Sequence, residues 1–103
     1  MIHEVVRAMP DYAVLMLIQK GDRSYTYAAE PVLAWLISVT DGGIVTHIEP
    51  ITLHGSHENA VVKEPSGRVV LPEVEAWPDV ESWLAVATQR ALDADVAAKL
   101  AGR

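Results

Sequence analysis

Tyr12-Ala13-Val14-Leu15-Met16-Leu17-Ile18-Gln19-Lys20-Gly21-Asp22-Arg23-Ser24-Tyr25-Thr26-Tyr27 is the stretch that decides the fold class. Its first seven residues are an apolar run of strand length. Lys20-Gly21-Asp22-Arg23 is good turn chemistry. Ser24-Tyr25-Thr26-Tyr27 then alternates small polar with aromatic residues, the period of two that sends every second side chain to the same face. The stretch predicts a β-hairpin.

Before it, Val5-Val6 is a short strand candidate closed by Met9-Pro10-Asp11. After it, Pro31 cannot donate to a sheet ladder and marks a strand start, an edge or a bulge. Residues 32–39 read in two ways. Their length and their Val, Ile and Trp content favour a buried strand leading into the Asp41-Gly42-Gly43 turn. The alternative is a short helix with Pro31 at its first position and Gly42 at its end. Residues 44–53 read as the returning strand, with Pro50 as a break, and 53–59 as a polar loop. Ala60-Val61-Val62-Lys63 and Arg68-Val69-Val70-Leu71 flank Glu64-Pro65-Ser66-Gly67, whose proline and glycine fit a type I turn. A second hairpin is predicted there, then an acidic linker over 73–78.

From Asp79 onward no glycine or proline occurs until Gly102. Asp79 suits a helix cap, because its carboxylate can accept the unpaired amides of the first turn. Glu81 suits the positive end of the helix dipole. The reading is α+β: an antiparallel β-meander of four to six strands, with one C-terminal helix over about 79–100 packed on one face. All 103 residues form a single domain.

The sequence also points to apolar surface left over. Residues 12–18 and 32–37 are apolar on both parities, as strands buried on both faces are. One helix covers one face. A second subunit, closure of the sheet or a ligand must cover the other. On the helix, Val80, Trp83, Leu84, Ala87, Ala91 and Ala98 form the stripe expected to meet the sheet. Leu92, Val96 and Leu100 form a second stripe, to be covered by the chain itself or by a partner helix. A homodimer is the commonest arrangement among oligomers, and it is the expected state.

Bulk composition narrows the partners. The chain carries 14 acidic and 8 basic side chains, a net charge of −6. Its basic residues form no cluster of three, so neither nucleic acid nor an anionic membrane is expected to bind. There is no cysteine, which excludes disulfides, thiolate metal sites and cysteine nucleophiles. Met1-Ile2-His3-Glu4 lacks the basic and apolar regions of a signal peptide, and no apolar run approaches the roughly 20 residues of a membrane helix. A cytoplasmic protein is expected.

Three groups of residues carry candidate chemistry. Tyr25 and Tyr27, with Trp35 nearby, can line an apolar pocket with hydroxyl handles, although core packing is the simpler role. His47, Glu49, His54 and His57 offer imidazole and carboxylate donors for zinc or another divalent ion. Glu58 or Glu49 is then the candidate base for a metal-activated water. Their spacing matches neither a His-Glu-x-x-His helix nor a compact finger, and a solvated loop carrying histidines is the simpler reading. Leu92, Val96 and Leu100 are the candidate interface. No cofactor motif is present. The leading expectation is a non-enzymatic binding module that self-associates. A small-molecule binder follows, then a His/Glu metal-dependent hydrolase.

The layout, a small meander with a helix beginning Asp79-Val80-Glu81-Ser82-Trp83-Leu84, resembles many small proteins of phages, plasmids and integron gene cassettes. Some proteins of that size and layout inhibit bacterial defence complexes. The resemblance implies an accessory protein of a mobile genetic element. It covers no functional residue and carries no site over.

Overall fold

The computed structural model describes residues 2–102. Its elements, in chain order, are β1 (Ile2–Arg7), β2 (Ala13–Gln19), β3 (Tyr25–Pro31), β4 (Ala34–Val39), β5 (Val45–Thr52), β6 (Gly55–Ser56), β7 (Val61–Lys63), β8 (Val69–Leu71), β9 (Glu75–Trp77) and the helix α1 (Val80–Ala101). The α+β class, the antiparallel pairing and the single C-terminal helix are those the sequence predicts. The strands divide between two sheets, in the orders β1-β4-β5-β6 and β3-β2-β7-β8-β9.

The division arises from one bent ribbon. β2 and β3 form the predicted hairpin, with Gln19 opposite Tyr25 and Ala13 opposite Pro31. β1 and β4 continue it, from Arg7 opposite Ala34 to Ile2 opposite Val39. Between these two runs, five residues (8–12) face two (32 and 33). The excess on one side bends the ribbon, as extra residues in a bulge do. Hydrogen bonds hold the elbow, from Ala8 N to Leu33 O and from Val32 N to Tyr12 O. The Tyr12 ring meets Trp35 edge-on at 5.5 Å. Beyond the elbow each half of the ribbon recruits its own neighbours: β5 returns along β4, and β7 joins β2.

Within 32–39 the chain is therefore strand from Ala34 to Val39, as its composition favoured, with 32 and 33 in the elbow and no helix. Pro50 does not break β5, which runs through it opposite Trp35. A residue's N–H and C=O point to the same side of a strand. The Pro50 carbonyl accepts from His57 N on the side away from β4, so the amide that proline lacks would have pointed there too. No bond to β4 is lost. Pro31 obeys the same rule on the outer strand β3: it is the next residue's amide, Val32 N, that reaches toward β2. The predicted loop 53–59 contains the short return strand β6, and the predicted linker 73–78 contains β9. The second hairpin forms as expected, with Gly67 at φ 94°. Only glycine enters that region without strain.

The core lies in the five-stranded sheet. Leu15, Val69 and Trp83 are buried together, with Val61, Trp77, Val80, Leu84 and Ala87 packed around them. Trp83 also meets Tyr27 edge-on at 6.1 Å. The helix packs chiefly on β2, β3 and β9. Asp79 caps it, its Oδ1 accepting from Ser82 N at 2.7 Å. That bond holds the Asp79 carboxyl below the usual range. Replacing Asp79 with alanine is expected to lower the urea midpoint, while asparagine, whose amide oxygen also caps, retains most of the stability. An equal loss in both variants would count against the cap.

Only the first half of the helix is covered. Val80, Trp83, Leu84, Ala87 and Ala91 are buried or half-buried as expected, but Ala98 is exposed, as is every described residue after Leu92. A straight helix about 33 Å long outruns the short strands beneath it. The molecule is elongated, 50 × 31 × 24 Å. Its radius of gyration of 16.0 Å compares with about 13 Å for a compact chain of this length.

Candidate functional site

The four-stranded sheet has two unlike faces, fixed by register. On one face Ile2 lies beside Val39, Glu4 aligns with Ile37 and Ile48, and Val6 aligns with Trp35 and Pro50. On the other, His3 aligns with Ser38 and His47, and Val5 with Leu36 and Glu49. The first face is apolar apart from Glu4, and no helix packs on it. Ile2, Val6 and Ile48 are 56%, 44% and 51% exposed. Trp35 and Ile37, the members of this face within 32–37, are half-buried, and the open surface is carried by their neighbours on β1 and β5. In 12–18 the doubly apolar pattern is satisfied near the elbow, where the neighbours Val14 and Leu15 are both buried.

The histidine segment splits into two clusters. On the mixed face, His47 Nε2 and Glu49 Oε1 lie 2.7 Å apart, and Glu58 joins them. The donor atoms of these three residues all lie within 4.8 Å of one another, the one such group of three among the described residues. His54 and His57 turn instead toward Glu30 of β3. His54 Nδ1 is 2.7 Å from Glu30 Oε1. Thr52, nearly fully buried, donates to Glu30 Oε2 at 2.8 Å. His57 Nε2 is 2.9 Å from the Thr52 hydroxyl. With the Thr52 proton committed to Glu30, His57 is the donor in that contact. The four expected metal ligands therefore do not converge: His47 and Glu49 stay together, while His54 and His57 belong to a joint between the two sheets.

Glu30 is the residue that sequence reading missed. It stands before Pro31 with no motif around it, and its partner Thr52 is 22 positions away. The Thr52 hydroxyl, and next His54, hold its carboxyl below the ordinary value of 4.5. A carboxyl with a depressed folded-state pKa stabilises the fold above its unfolded pKa. That contribution is lost as pH falls through the folded value. Glu30→Gln, which keeps an acceptor for Thr52 but no charge, is expected to flatten the fall in urea midpoint below about pH 4.5. An unchanged acid profile would remove Glu30 from the joint.

The aromatic trio does not assemble. Tyr27 of β3 packs on Trp83 of the helix, and Trp35 on Tyr12 at the elbow. Three surface hollows are formed by other residues. The one of about 310 Å³ is bordered by His47, Ile48, Pro50, His57, Asn59 and Glu73. The one of about 410 Å³ lies along Leu92, Val96 and Leu100, closed on one side by Arg23. The smallest, about 80 Å³, is apolar and adjoins Glu30 and Leu53. Val96 and Leu100 are exposed and Leu92 is half-buried, so among the described residues no segment covers the far end of the second helix stripe.

No helix among the described residues is long and apolar enough to cross a membrane. No protein-family model matches the chain, and no curated protein or solved structure matches it.

Proposed function

We propose that the protein is a non-enzymatic binding module that works as a homodimer, joined through the apolar face of the four-stranded sheet. The observation that carries this reading is surplus surface. The chain of 11.2 kDa exposes 7054 Å², whereas a compact monomer of that mass exposes about 5,700 Å². The surplus, roughly 1,400 Å², exceeds the roughly 800 Å² that each partner buries in a standard interface. The open face of β1, β4 and β5 supplies apolar side chains in the rows such an interface needs. A two-fold axis lets one patch serve both copies.

The test is absolute mass by light scattering on a size-exclusion column across a concentration series. A mass twice 11.2 kDa is the expected result. A monomer at high micromolar concentration would overturn the dimer.

A further inference from the structure

We propose that His47, Glu49 and Glu58 form a binding site for a divalent transition-metal ion of the zinc class. The donor set is one imidazole nitrogen and two carboxylate oxygens. That mixture suits Zn²⁺ better than the all-oxygen ions Mg²⁺ and Ca²⁺. Ligands bound at about 2.0–2.1 Å in a tetrahedron stand about 3.3 Å apart. Donors already within 4.8 Å of one another need only small side-chain rotations to reach that spacing.

The backbone supplies the placement. His47 and Glu49 alternate onto one face of β5, which β4 holds in register. The β5–β6 hairpin and the bond from His57 N to Pro50 O bring the next residue, Glu58, back beside them. Charge supports a cation as well. Glu58 makes no side-chain hydrogen bond or ion pair among the described residues, and no lysine or arginine pairs with Glu49. Two carboxylates are thus gathered around a single imidazole in a chain of net charge −6. A metal ion would take the place of the proton shared by His47 Nε2 and Glu49 Oε1. Three protein ligands leave a fourth position for water or an exogenous anion.

The site lies on the face opposite the proposed dimer contact, so either reading can fail without the other. The test is calorimetric titration of the untagged full chain with Zn²⁺, repeated on His47→Ala, Glu58→Gln and His54→Ala, with far-UV circular dichroism to confirm folding. One equivalent per chain is expected, with micromolar affinity. His47→Ala and Glu58→Gln should each weaken binding by at least about 10-fold. His54→Ala, which alters only the Glu30 cluster, should leave it unchanged. No heat and no uptake of Zn²⁺ by the wild-type chain would overturn the site. So would binding that survives Glu58→Gln but is lost in His54→Ala.

Discussion

Ile48→Asp is expected to halve the mass of the native protein while leaving its circular dichroism intact. Ile48 is 51% exposed on β5, in the row that also holds Ile37 and Glu4. An aspartate there loses little packing within its own chain. Across a two-fold interface the substitution appears in both copies, each burying a carboxylate without a partner. Unpaired buried charge costs several kcal/mol per group by the usual range, enough to weaken a micromolar dimer by about 100-fold or more. Val96→Asp is the matched control, because Val96 is 49% exposed on the second helix stripe. The expected pattern is a monomer for Ile48→Asp and an unchanged dimer for Val96→Asp. The reverse pattern would move the interface to the groove of Leu92, Val96 and Leu100. A dimer in both variants would exclude both surfaces. The sheet face is favoured for its breadth and lack of charge: it carries one charged residue, Glu4, whereas Asp93, Asp95, Lys99 and Arg23 crowd the helix groove.

What the sequence made legible follows the range of the interactions concerned. The β2–β3 hairpin, the turn at Gly67 and the cap at Asp79 are local. Each is written in residues next to one another in the chain, and each forms as read. The elbow is not local. It depends on how many residues separate Arg7 from Ala13 relative to Pro31 from Ala34, a comparison between segments whose pairing must be known first. Without it, the strands read as one meander. Pro50 misled for a related reason. A proline's effect depends on which edge its missing amide would face, and that is set by the return of His57 along the outer side of β5. The candidate site shows the same limit. His47 and Glu49 are two apart on a strand and were legible as a pair, whereas the pairing of His54 with Glu30 crosses from one sheet to the other.

The second large effect is expected at the other end of the molecule. Trp83→Ala should lower the free energy of unfolding by about 3–5 kcal/mol, the usual cost of emptying a buried aromatic site. Trp83 is 4% exposed and sits on α1 against Leu15, Val69 and the Tyr27 ring. It is the largest side chain in the core cluster, and no described residue of the helix beyond Leu92 is buried to compensate. Domains of this size are stable by only about 5–15 kcal/mol, so a large part of the margin rests on one indole. Trp83→Phe keeps an aromatic ring against Tyr27 and should lose much less. Leu84→Ala, half-buried at the margin of the cluster, should fall between the two. Urea midpoints followed by far-UV circular dichroism read all three. The order matters more than any single value. The core has one centre only if Trp83→Ala costs the most. A loss below about 0.5 kcal/mol, the range of ordinary surface substitutions, would mean that the helix is held elsewhere, and the stripe of Leu92, Val96 and Leu100 would then be the place to look.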